Sequence, residues 1–180
     1  MDHKIRILYA EDSADDVELT LRTLKKAGLE YEHSVSSDLA ELGRLIESGT
    51  FDVFLSDYNL RKFDAKALLK KRNEAAPDMP FIIVTGTLPD ESAVELVKDG
   101  ATDYVLKDRL SRLPSAITMA LKEREEKRYL EAARWELQES EKRFRDLFES
   151  SPDLIFMAST EGCVTMGNPA FMLALGAGPA

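Results

Sequence analysis

At 180 residues the chain has room for one domain of ordinary size plus a remainder, and 44% hydrophobic residues suffice for a core. A balance of 33 acidic against 24 basic residues leaves a net charge of −9, which argues against direct binding to nucleic acid or to an anionic membrane surface. The single cysteine, Cys163, excludes an intrachain disulfide, and Met1 opens onto a charged segment and not a long apolar leader, so a cytoplasmic chain without a transmembrane segment is expected.

Residues 4–10 read as a short strand that ends at Glu11-Asp12, with Ser13-Ala14-Asp15-Asp16 as a helix-start signal. Two carboxylates there also suit helix capping and the helix dipole, and by themselves they decide nothing. Over 17–27 the residues Val17, Leu19, Leu21, Leu24 and Ala27 include helical spacings, and Gly28 closes the element. Residues 31–36 form a weak second strand, and Leu39, Leu42, Leu45 and Ile46 mark a second helix stopped by Gly49. In the stretch 51–60 the run Val53-Phe54-Leu55 reads as a strand buried on both faces that delivers Asp57 to a sheet edge. A helix over 65–74 ends before Pro77, a buried strand over 81–84 ends at Thr85-Gly86, a helix over 90–99 stops at Gly100, and a fifth strand over 103–106 ends at Lys107.

Five alternations of strand and helix predict a doubly wound α/β domain with a five-stranded parallel sheet and helices on both faces. Function in such sheets gathers at the carboxyl ends of the strands. Glu11 and Asp12, Asp57, Thr85 and Lys107 all fall there. This set, with Asp15-Asp16 behind the acidic pair and Gly100-Ala101-Thr102-Asp103-Tyr104 before the lysine, resembles the response-regulator receiver domain over about residues 4–125. The resemblance implies a flavodoxin-like sheet of order 2-1-3-4-5 and a receiver domain over 1–125.

Carboxylates held close together repel, and a hard divalent cation with oxygen ligands relieves the repulsion while clamping a phosphate. The resemblance implies Mg²⁺ held by Glu11 and Asp12, by a carboxylate oxygen of Asp57 and by the backbone carbonyl of Asn59. Asp57 is implied as the nucleophile that takes a phosphoryl group from a histidine kinase or phosphotransfer protein as an acyl phosphate. Lys107 and the Thr85 hydroxyl would stabilise the charge of the transferring group, and Thr85 with Tyr104 would form the switch. One residue departs from the family pattern: Asp108 stands where a cis proline commonly follows the lysine. A cis bond before a non-proline residue costs about 3–4 kcal/mol, so a trans Lys107-Asp108 peptide is expected, with a shifted start to the next helix.

From Arg109 onward the pattern continues as a very long helix, uninterrupted by proline or glycine over 115–151. Leu113, Ile117, Ala120 and Leu121 form one apolar stripe, and Leu130, Ala133, Leu137, Ser140, Phe144 and Leu147 form a second at heptad spacing. The stripes differ in phase, which predicts a change of supercoil near Lys127 in a coiled-coil linker over 126–143 and a parallel homodimer through this helix. A solvated spacer helix is the alternative, and Trp135 falls off the second stripe. Residues 141–156, then Glu161-Gly162, Asn168-Pro169-Ala170-Phe171 and Leu175-Gly176, resemble the entry of a PAS domain. A fragment over 144–180 is too short for a whole PAS domain, so a longer parent protein and no bound haem or flavin are expected. The output, in a sensor histidine kinase or a cyclic-dinucleotide enzyme, would lie elsewhere in that parent. Two other functions compete with this reading, an Mg²⁺-dependent aspartyl-phosphate phosphatase and a phosphorylation-independent interaction module. The first expects paired aspartates two residues apart after the first strand, against the adjacent Glu11-Asp12 here, and the second leaves the acid, hydroxyl and lysine set without a purpose.

Overall fold

The computed structural model describes residues 4–61, 63–86 and 95–176. Strand β1 (Ile5–Ala10) leads into helix α1 (Ala14–Lys26), followed by β2 (Tyr31–Ser36), α2 (Leu39–Glu47), β3 (Val53–Ser56), α3 (Ala65–Ala75), β4 (Phe81–Thr85) and β5 (Asp103–Leu106). The strands form one parallel sheet of order β2-β1-β3-β4-β5, the expected doubly wound topology. The reversal of strand order beside β1 and β3 is the switch point of the sheet. Residues 95–98 are helical, and Gly100 follows them at φ +104°, a conformation that favours glycine. The expected beginning of that helix, at 90, lies outside the described residues.

Burial follows the strand period of two. Leu8, Ala10, Phe54, Phe81 and Ile83 face one layer with Leu42, Ile46, Leu68 and Leu69, whereas Ile7, Tyr9, Val53, Leu55, Ile82, Val84 and Val105 face the other with Leu24, Leu113 and Ile117. Each face of the sheet is covered, which is why the central strands read as unbroken apolar runs. Side-chain caps fix the helix starts: Ser13 accepts from Asp16 N, Asp38 from Ala40 N and Glu41 N, and Asp64 from Ala67 N. These caps set where each loop leaves the carboxyl edge.

The Lys107–Asp108 peptide is trans, as expected. Regular helix does not begin at Arg109, however. Residues Lys107–Arg112 form a 3₁₀ turn broken at Arg109 (φ −123°, ψ 33°), and α4 runs over Leu113–Ser150 with Pro114 in its first turn, where a missing N–H loses no intrahelical bond. The chain divides into two compact units, Met1–Lys127 and Arg128–Ala180. Within the first, Arg124 donates from Nη1 to the Asp52 carbonyl at 3.0 Å and Lys127 pairs with Asp78 at 3.0 Å, tying α4 to the sheet's amino edge. In the second, β6 (Phe156–Ala158) pairs antiparallel with β7 (Val164–Gly167), and Asn168 caps the short α5 (Pro169–Ala174). No helix among the described residues is long and apolar enough to cross a membrane.

Candidate functional site

The carboxyl edge of the sheet carries the site. β1 and β3 are neighbours, with Ala10 opposite Ser56, so the residues that follow, Glu11 and Asp57, emerge side by side. The Asp57 amide donates to the Ala10 carbonyl at 2.9 Å, which continues the ladder one step beyond β3. On the other side β4 places Thr85 opposite Leu106, the residue before Lys107. Residues far apart in sequence therefore meet because the crossovers return every strand in the same direction.

Lys107 is the hub. Its Nζ lies 2.8 Å from Glu11 Oε2, 2.7 Å from Asp16 Oδ2 and 2.8 Å from Asp57 Oδ2. Burial would lower the lysine's pKa, but the hydrogen bonds to Asp16, Asp57 and Glu11 outweigh it and push the ammonium well above its ordinary value. The same contact, above all the hydrogen bond from Lys107, holds the Asp16 carboxyl below its ordinary range. Glu11 is buried, and its Oε1 also accepts the backbone N–H groups of Asp12 (2.9 Å) and Ser13 (3.0 Å). Asp57 stands at the rim, where its Oδ1 accepts from the Asn59 amide at 3.3 Å.

Not every expected residue joins this cluster. Asp12 turns to Arg61, whose Nε lies 3.0 Å from Asp12 Oδ2 and whose backbone amide also reaches that oxygen at 3.4 Å. Thr85 is buried at the end of β4, and Tyr104 on β5 is half-exposed, its carbonyl accepting from Arg112 Nη1 at 3.1 Å. Asn59 forms an isolated bridge with Asp64 that turns the chain into α3. The residue the sequence reading left outside the site is Asp16. It sits in the first turn of α1, where an acid is ordinarily credited to the helix dipole, and indeed its amide donates to the Ser13 cap at 3.3 Å. Helical spacing separates the adjacent acids, Asp15 to solvent and Asp16 towards the sheet edge, but does not encode which cation Asp16 meets.

Glu11, Asp16 and Asp57 can each offer one carboxylate oxygen, all within 4.8 Å of one another. An all-oxygen, anionic donor set of this kind suits a hard divalent cation. Beside it, a cleft of about 510 Å³ opens between the starts of α1 and α2, lined by Glu11, Asp12, Asp38 and Glu41 among others. This edge thus concentrates negative charge around the partly buried ammonium of Lys107.

Over residues 7–118 the chain matches the response regulator receiver domain, and over 142–178 a PAS domain. It is 30% identical over 118 residues to the DNA-binding transcriptional regulator NtrC of Rhizobium meliloti (strain 1021), an overlap covering 65% of this chain and 24% of that protein. To NtrC of Escherichia coli (strain K12) it is 33% identical over 102 residues, covering 56% of this chain and 21% of the relative. The chain therefore spans about a quarter or less of the length of these curated relatives. Among solved structures it is similar to a CheY-like response regulator receiver domain protein from Methanospirillum hungatei JF-1, at 28% identity and a TM-score of 0.61, covering 69% of this chain and 99% of that one. The beryllofluoride-activated NtrC4 receiver domain dimer is 25% identical with a TM-score of 0.58, covering 66% of this chain and 98% of that one. The family match takes in the carboxyl end of every strand that delivers a residue to this edge and well over half of the chain: the protein belongs to the response regulator receiver domain family.

Proposed function

We propose that this receiver domain accepts a phosphoryl group on Asp57 from the phosphohistidine of a histidine kinase or phosphotransfer protein. The observation that carries the reading is the position of Lys107 Nζ, within 2.8 Å of carboxylate oxygens of Glu11, Asp16 and Asp57. An Asp57 oxygen attacks phosphorus, the P–N bond breaks, and its electron pair stays on the donor imidazole, which takes a proton from solvent. No general base is needed, since a carboxylate oxygen attacks through a lone pair and has no proton to lose. Lys107 then serves the phosphoryl oxygens, where fixed positive charge stabilises the transferring group. Glu11 and Asp57, with Asp12, Asp16 and the Asn59 carbonyl beside them, would hold Mg²⁺, which when bound neutralises charge on those oxygens. Thr85 supplies a hydroxyl to the phosphorylated state, and Tyr104 responds from β5.

The second half of the proposal is transmission. Phosphorylation at the carboxyl edge biases α4, which carries the change to the PAS segment and to an output in a longer multidomain regulator or sensor histidine kinase. Leu130, Leu137, Phe144 and Leu147 are exposed on α4 at heptad spacing, and with Ala133 and Ser140 they form the stripe through which two copies pair as a parallel dimer. Dimerisation as such, and not the stripe, is supported by the similar NtrC4 receiver domain, whose structure is described as a beryllofluoride-activated dimer.

The test is intact mass after incubation with Mg²⁺ and acetyl phosphate, wild type beside Asp57→Ala, with light scattering on the same samples. One labile phosphoryl adduct on the wild type and none on Asp57→Ala is expected. A wild type that never carries an adduct would leave a receiver fold kept as a docking module, and catalytic turnover of a phosphate ester would favour a phosphatase.

A further inference from the structure

We infer that Tyr9 is a positioning residue for Glu11: its buried hydroxyl holds the Glu11 carboxylate in the orientation in which it serves a divalent cation. This rests on the receiver reading above. Tyr9 is fully buried on β1, with its ring in the layer beneath α1 and α4. Its hydroxyl lies 3.3 Å from Glu11 Oε2 and 3.3 Å from the Oγ1 of Thr20, itself buried on α1. A phenol has one proton to give, and a carboxylate can only accept, so Tyr9 donates to Glu11 and accepts from Thr20.

The count of donors explains why the contact matters. Glu11 accepts the Asp12 and Ser13 amides on Oε1, and Tyr9 and Lys107 on Oε2, which uses about the four acceptor sites a carboxylate offers. A cation at this edge must take one of those places. The two amides are fixed by the backbone turn and Tyr9 by the packed layer around it, whereas Lys107 reaches in on a flexible four-carbon stem. Lys107 is therefore the donor that yields, and Tyr9 keeps Oε2 aimed while it does so. An ordinary apolar residue at this strand position would fill the layer equally well but would leave Oε2 without its fixed donor.

The experiment measures Mn²⁺ affinity by counting free ion with electron paramagnetic resonance, on wild type, Tyr9→Phe and Tyr31→Phe. Tyr31 is the matched control, since its hydroxyl donates to the Leu21 carbonyl at 2.8 Å, away from the site. Tyr9→Phe should weaken Mn²⁺ binding about five- to tenfold, roughly what one net hydrogen bond contributes, while Tyr31→Phe binds as wild type. The double variant Tyr9→Phe/Thr20→Val removes the orphaned Thr20 partner and, if Tyr9 acts through Glu11, shows the same loss at a thermal stability close to wild type. Equal affinity of Tyr9→Phe and wild type overturns the inference and leaves the receiver reading intact. A wild type that binds no Mn²⁺, while Asp57 still labels, overturns it as well by removing the cation from this edge. Loss of labelling on Asp57 would instead strike the receiver reading itself.

Discussion

The two units of this protein use the same apolar residue types to opposite ends. Up to Lys127, most Leu, Ile, Val and Phe side chains enter two layers around the sheet: Ile7, Phe54, Leu55, Phe81 and Ile117 are all fully buried, and Leu19, Val35 and Val97 are the exposed exceptions among the described residues. From Arg128 to residue 176, Asn168 is the one buried residue among those described, and Leu130, Leu137, Phe144, Leu147, Phe156 and Leu173 lie open to solvent. Periodicity alone cannot tell these situations apart. A stripe of leucines is a core where crossovers bring a sheet beneath it, and a docking surface where nothing does.

The largest effect that would sharpen this contrast is expected in the receiver core. Phe54 packs edge-on against Phe81 with ring centroids 4.9 Å apart, and Phe54→Ala should remove about 3–5 kcal/mol, seen as a lowered midpoint in thermal or denaturant unfolding. Leu137→Asp should leave that midpoint alone but weaken self-association about a hundredfold, or ~2.8 kcal/mol. Light scattering then falls from twice the 20.2 kDa chain mass towards the single mass; a wild type that is monomeric at every concentration would sink the dimer.

Asn168 offers a smaller and more local break. Its Nδ2 donates to the carbonyls of Ser151 (3.2 Å) and Asp153 (2.8 Å), and its Oδ1 accepts from Ile155 (3.1 Å) and Phe171 (3.0 Å), so one amide side chain organises a unit with little core of its own. Asn168→Ala should cost that unit about 1–3 kcal/mol, read as faster hydrogen exchange at the Ile155 and Phe171 amides with no change in the receiver's protection. Unchanged exchange at those amides would refute that organising role.

The smallest effect concerns pH. Lys107 holds the Asp16 carboxyl below its ordinary value of 3.8, so the folded state binds fewer protons there than the unfolded chain. The stability this adds is present above that value and is lost as pH falls through the lower, folded pKa. The gap in unfolding midpoint between wild type and Asp16→Asn should therefore close as the solution is taken from about pH 5 to about pH 2. A gap of constant size would mean that Asp16 acts by something other than its charge.

Much of this could be read from residue order. Short-range pattern determined the central strands, because a strand buried on both faces must be apolar throughout and must stop where polar residues begin: Val53-Phe54-Leu55 and Phe81-Ile82-Ile83-Val84 could scarcely be anything else. The same logic put Glu11, Asp57, Thr85 and Lys107 at strand ends, and the trans Lys107–Asp108 bond followed from the energy of its alternative. Side-chain direction at the loops was a different matter. Whether Asp12 or Asp16 joins Lys107, and that Arg61 draws Asp12 aside, depends on distances between segments dozens of residues apart, which no local pattern encodes. So does the Tyr9 hydroxyl: in the sequence it is one more strand aromatic, and only the packing of α1 over β1 brings Thr20 to one side of it and Glu11 to the other. Secondary structure is written in spacing along the chain, whereas the chemistry of the edge depends on which donors and acceptors the folded layers bring within 3 Å or so of one another.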